Sequence, residues 1–127
     1  MKLLTGASLA MIALSACSTS PGPMVEVGYP TGSLAVAAIE RGDWAAAERQ
    51  LIAERPIDRD HPARLINLGR VYAATGRTSE AITLWNRALA APVHSEVETA
   101  DGRMARTDEI ARRAIAYHSR LQTASSR

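Results

Sequence analysis

Histidine, cysteine and closely spaced carboxylates carry much of the chemistry of small proteins, and in this chain they are few and scattered. His61, His94 and His118 are the three histidines. They lie far apart, with none of the spacings that bring two ligands to one metal and no cysteine near them to complete a set. Neighbouring carboxylates occur as Glu96/Glu98 and Asp108/Glu109. A glycosidase-type pair would need a cleft and one raised pKa, whereas these read as loop solvation and as charge at a helix start. There is no serine-nucleophile motif and no phosphate-cradling glycine loop. The residues point away from an enzyme and call for no metal or cofactor, with a cell-wall hydrolase of unusual design as the remote alternative.

Cys17 is the one cysteine, so no intrachain disulfide can form. It closes the stretch MKLLTGASLAMIALSAC, in which Lys2 precedes an uncharged, mostly apolar run from Leu3 to Leu14 and then small residues. That is the layout of a bacterial export signal. The apolar run is too short for a bilayer core of roughly 30 Å, which takes about 20 helical residues. The last four residues, Leu14-Ser15-Ala16-Cys17, resemble the lipobox of bacterial lipoproteins. The resemblance implies removal of residues 1–16, a diacylglyceryl group on the Cys17 thiol and an acyl group on its amine. Such anchoring needs more than one chain, at about 0.8 kcal/mol per buried methylene. Ser18 rather than an aspartate follows, which in the sorting rule of that family implies the outer membrane, with the protein facing the periplasm. Residues 17–30 then form a lipidated cysteine and a flexible tether, STSPGPMVEVGYP carrying three prolines and two glycines.

Loss of the signal removes Lys2, the only lysine, and leaves fourteen arginines against thirteen carboxylates. The two signs are mixed and no basic block stands out. Nucleic-acid affinity comes from cations clustered on phosphates, so nucleic acid is not an expected partner.

The elements that remain are helical. Leu34, Ala35, Ala38 and Ile39 share one face; Gly42 and Asp43 interrupt; Trp44, Ala47, Leu51 and Ile52 follow at three-to-four spacing, up to Pro56. Asp58 or Asp60 can cap a third helix with Pro62 in its first turn and Leu65, Leu68, Tyr72 and Ala73 inward. Gly76 closes it. Thr78 or Ser79 can cap a fourth, with Ala81, Leu84, Trp85 and Ala88 inward, ending near Pro92. Residues 93–107 form a polar loop or a short hairpin about Asp101-Gly102. A fifth helix over 108–122 has acids in its first turn and the stripe Ile110, Ala114, Tyr117, Leu121.

Gly42 and Gly76 lie 34 residues apart, and at that offset Leu34 falls on Leu68, Ala35 on Gly69, Ala47 on Ala81 and Leu51 on Trp85. A helix–turn–helix period of 34 is that of the tetratricopeptide repeat. The second unit, 62–92, resembles that family closely through Leu68-Gly69, Tyr72, Gly76, Ala81, Trp85, Ala88 and Pro92. Gly69 and Ala81 let its helices approach, Tyr72 and Trp85 fill the larger gaps, and Ala88 admits the next helix. The first unit, 31–58, is degenerate, with Ala38 for Tyr72, Glu54 for Ala88, and Pro30 and Gly32 where its first helix should begin, so that helix is expected to be short. The implied fold class is all-α, a short solenoid of two units (31–92) with the fifth helix as its cap. The chance alternative is a generic four-helix bundle.

The resemblance also implies a function. In tetratricopeptide domains the first helix of each unit lines a groove that holds a peptide or helix. Carried onto this chain, the groove residues are Ala63, Ile66, Asn67, Arg70 and Ala74, with Val36 and Glu40 from the first unit. Asn67 would bond a ligand's backbone and Arg70 a carboxylate. The implied protein is a lipid-anchored adaptor or assembly factor binding an envelope protein, as small lipoproteins of this kind do for pili, secretins and outer-membrane machines. The alternative is a structural lipoprotein that self-associates.

Overall fold

The computed structural model describes residues 28–53 and 57–127, so the expected export signal, Cys17 and the expected tether up to residue 27 lie outside the described residues. The order is α1 Val36–Glu40, α2 Trp44–Ile52, α3 Pro62–Ala74, α4 Thr78–Leu89, β1 Glu96–Glu98, β2 Met104–Arg106 and α5 Thr107–Ser125. The fold is all-α, with a two-stranded hairpin inserted before the last helix.

The 34-residue period is written into the backbone. After α1, Gly42 takes φ 68°, its N–H donates to Ile39 O and that of Asp43 to Ala38 O. After α3, Gly76 takes φ 84°, its N–H donates to Ala73 O and that of Arg77 to Tyr72 O. Both are Schellman closures, in which a left-handed residue, most cheaply glycine, satisfies the last helical carbonyls. Each turn leads into the second helix of its unit. Asp43 caps α2 by accepting from the Ala46 N–H at 3.0 Å. At α4 the N-cap is Arg77, without a side-chain capping bond, so the expected cap from Thr78 or Ser79 is not used; Thr78 is already the first helical residue. Likewise α3 starts behind His61, and Asp58 instead closes a local turn by accepting from the Asp60 N–H. The Asp58 side chain is thereby spent before the helix begins.

Helix α1 has five residues where α3 has thirteen. Gly28, Pro30 and Gly32 resist the helical conformation, and residues 31–34 form turns held by Ser33 N–H to Pro30 O and Ala35 N–H to Gly32 O. Ala35 enters α1 from the left-handed region, φ 56°, a rare place for a residue with a Cβ.

The hydrophobic core falls into two parts. One joins Ala35, Ala38, Ile39, Ala47, Leu51 and Val71, with Leu68 and Tyr72 packed against it. The larger includes Leu34, Ile66, Ala81, Trp85, Ala88, Val97, Ile110 and Ala114. Gly69 lets α3 and α4 close on each other: a Cβ built there would lie 2.4 Å from Trp85 Nε1. The indole N–H in turn donates to Ile66 O at 3.1 Å.

Of the loop and the hairpin about Asp101-Gly102, the structure has the hairpin. Val97 pairs with Ala105, Gly102 N–H donates to Thr99 O, and Gly102 takes φ 75°. This is a turn followed by a left-handed residue, a common three-residue hairpin loop. Val97 enters the core and brings α5 back onto α4. Helix α5 is longer than expected and its stripe is only half covered: Ile110 and Ala114 are buried, whereas Tyr117 and Leu121 are exposed. Helix α2 also stops at Ile52, four residues short of Pro56, and leaves Ile52 half exposed rather than inward.

Candidate partner-binding face

The residues assigned to a groove divide sharply by burial. Asn67 is 1% exposed and its Nδ2 donates to Leu34 O at 2.9 Å. Its assignment to a ligand's backbone is corrected: it bonds the chain's own backbone. The reason lies 33 residues upstream, where the first unit breaks out of helix and its carbonyls need donors from elsewhere. Ala63, Ile66 and Val36 are corrected in the same sense, since all three are buried in the core cluster. The Ile66 carbonyl is taken by Trp85.

Glu40, Arg70 and Ala74 remain accessible. Glu40 and Ala74 are exposed at repeat-equivalent positions, the last residues of α1 and α3. Arg70, one turn before Ala74, is half-buried, and burial lowers the pKa of its guanidinium from the usual value. An arginine so placed has already lost part of its hydration, which reduces the desolvation cost of meeting a carboxylate.

Two further side chains hold the two units in register, and sequence reasoning missed both. Arg64, 3% exposed, donates Nε to Leu51 O at 2.6 Å, Nη1 to Ile57 O at 3.0 Å and Nη2 to Ala53 O at 3.0 Å. One guanidinium thus caps the C-terminal end of α2, where no glycine closes the helix. An arginine amid Ala63, Leu65 and Ile66 was the available signal, because such a charge is buried only with partners. Arg77 makes a two-pronged bond to Glu48 of α2, Nη1 to Oε1 at 2.9 Å and Nη2 to Oε2 at 2.6 Å, and lies 3.9 Å over the Tyr72 ring. The hydrogen bond from Arg77 holds the Glu48 carboxyl below its ordinary pKa.

The matched segments fall on these structural units and end one and two residues before α2 and α4 do. Residues 28–51 and 62–87 match the family model of the tetratricopeptide repeat. The chain carries two tetratricopeptide repeats. No curated protein and no solved structure matches the chain. The first repeat includes the turns before α1, so 28–35 are its unwound opening rather than a separate arm. Tetratricopeptide repeats are interaction modules and typically not catalytic.

The histidines serve the repeats locally. His61 precedes α3 and packs edge-on against Tyr29, and burial lowers its pKa against an opposing pull from Asp58. His118 lies 5.0 Å from the Trp85 ring, where burial lowers its pKa too. His94 Nδ1 is 3.3 Å from Thr107 Oγ1 at the start of α5. Burial would raise Asp108, but the hydrogen bond from Arg106 and the charges of Arg106, Arg112 and His94 outweigh it and hold this carboxyl low. Glu96 and Glu98 lie on the hairpin and Asp108 and Glu109 in the first turn of α5. Among the described residues no three metal-ligating side chains gather, and no helix is long and apolar enough to cross a membrane.

Proposed function

We propose that the chain is a lipid-anchored adaptor of the bacterial cell envelope, fixed to the outer membrane through Cys17 and holding a second envelope protein against α1 and α3. The observation that carries the reading is the union, in one short chain, of Leu14-Ser15-Ala16-Cys17 with a tethered pair of tetratricopeptide repeats. A lipidated cysteine supplies the anchor, and the repeats supply a surface for a protein or peptide. The contact residues are Glu40, Arg70 and Ala74. Buried Val36, Ile66 and Asn67 shape that surface from beneath.

Metabolic labelling with a palmitate analogue, followed by membrane fractionation, tests the anchor. The wild-type chain takes label and sediments with membranes, and Cys17→Ser does neither. A Cys17→Ser chain that still takes label overturns the lipoprotein reading. Crosslinking in cells with Glu40→Arg plus Arg70→Glu tests the face separately: the partner is lost although the label stays.

A further inference from the structure

The apolar stripe of α5 begins in the core and ends in solvent. Ile110 and Ala114 are covered, but Tyr117 and Leu121, the next members of the same stripe, are 44% and 47% exposed. The helix runs antiparallel to α4, with Gln122 reaching back to Ser79, and it is nineteen residues long against twelve for α4. Tyr117 and Leu121 precede that contact, so they emerge beside α4 rather than past its end.

Charge is distributed along the helix in the same uneven way. Asp108 and Glu109 are its only acids, both in the first turn, and both are occupied: Asp108 by Arg106 at 3.1 Å and Arg112 at 2.9 Å, Glu109 by Arg113. From residue 110 to residue 127 there is no carboxylate side chain. Arg120 donates Nε to Ala116 O of its own helix and makes no ion pair among the described residues. With Arg127, Ser119 and Thr123 it borders a shallow depression of about 340 Å³. On the other side of Leu121, a second depression of about 500 Å³ is walled by Thr78, His118, Gln122 and Ser125. Positions 117, 120, 121 and 124 fall on one helical face, so the uncovered aromatic and aliphatic groups lie beside Arg120, which has no ion pair among the described residues.

We propose that this face of α5 is a docking surface for an acidic amphipathic helix of another protein, whose apolar residues cover Tyr117 and Leu121 and whose carboxylates meet Arg120 and Arg127. Charge selects this occupant over a second copy, because two such faces brought together would oppose arginine to arginine. A lipid surface is the other occupant, and the vesicle arm of the test separates it from the acidic helix. The surface is separate from the Glu40–Arg70–Ala74 face and does not depend on it.

The test uses the full chain and two synthetic helical peptides sharing one leucine stripe, flanked by glutamates in one and by lysines in the other. Fluorescence anisotropy at low salt is expected to show at least tenfold tighter binding of the glutamate peptide, with amide shifts centred on residues 117–124. Tyr117→Ser plus Leu121→Ser lowers that affinity at least tenfold, and Arg120→Gln lowers it without touching the apolar pair. Because these side chains are exposed, the melting temperature is expected to hold in both variants. Equal binding of the two peptides overturns the proposal, as does binding that survives Arg120→Gln. So does uptake by phosphatidylglycerol vesicles that displaces the glutamate peptide, or concentration-dependent dimerisation abolished by Leu121→Ser.

Discussion

Gly69→Ala places one methyl group where the two helices of the second repeat touch, and two effects of opposite sign compete. In an ordinary helix interior the change is favourable by about 1 kcal/mol, because glycine is the poorer helix former. Here the new Cβ meets Trp85 Nε1 at 2.4 Å and Trp85 Cδ1 and Cε2 at 2.8 Å. Ordinary contact needs roughly 3.5 Å or more, so the indole must withdraw by about an ångström. Overpacking of this kind costs about 1–3 kcal/mol. Withdrawal also strips the indole N–H from Ile66 O, now at 3.1 Å, and leaving both groups buried without partners adds about 1–3 kcal/mol. The clash wins, and the net loss is about 1–5 kcal/mol. At about 4–8 °C per kcal/mol for a domain of this size, the melting temperature falls by at least about 4 °C. Circular dichroism at 222 nm measures the fall, and near-ultraviolet dichroism in a Trp44→Phe background reports the displaced Trp85. In a Trp85→Leu background, which frees the space, Gly69→Ala should be much less harmful. A melting temperature raised by Gly69→Ala, as propensity alone requires, would refute the packing of α3 on α4.

Three further outcomes follow from single residues. Arg64→Met keeps the aliphatic stem but leaves the Leu51, Ala53 and Ile57 carbonyls without their donor; a loss of about 3 kcal/mol in urea unfolding is expected, and a neutral result would discount the cap. Asn67→Ala frees the Leu34 carbonyl and should cost about 1–3 kcal/mol, with amide exchange quickening first in residues 31–40; a change that spares stability would return Asn67 to the contact surface. His118 and His61 have pKa values lowered by burial, so the unfolded chain binds their protons more readily than the folded one. Stability is therefore full above the ordinary histidine value near 6.5 and falls as pH drops from there toward the lowered folded values. His118→Gln should flatten that slope between melts at pH 7.5 and pH 5.5, and an unchanged slope would remove His118 from the account of it.

Most of the repeat architecture was legible in sequence because its determinants are local. Gly42 and Gly76 close helices by backbone conformation alone, and Gly69 with Trp85 follows from two residue types at a fixed spacing. The shortness of α1 was equally visible in Pro30 and Gly32. What sequence could not show were roles fixed by partners distant in the chain. Asn67 reads as an exposed polar residue until the broken backbone at Leu34 is folded beside it, and that break belongs to the other unit. Arg64 needs the path of the α2–α3 connection before its three acceptors converge. Tyr117 and Leu121 continue the stripe of Ile110 and Ala114, and their exposure shows only once α5 is laid against α4. Side-chain caps at α3 and α4 were over-read, since Asp58 spends its oxygen on a turn and Arg77 spends its side chain on Glu48 and Tyr72.

The most direct measurement of the repeats as a partner-holding surface is site-specific photocrosslinking in living cells, with the reactive residue placed at Ala74 and, as a control, at Asn86 on the exposed side of α4. A binding face at α1 and α3 predicts one discrete protein adduct from Ala74, absent from Asn86 and lost when Arg70→Glu is added. No adduct from Ala74, or the same adducts from both positions regardless of Arg70, would contradict it.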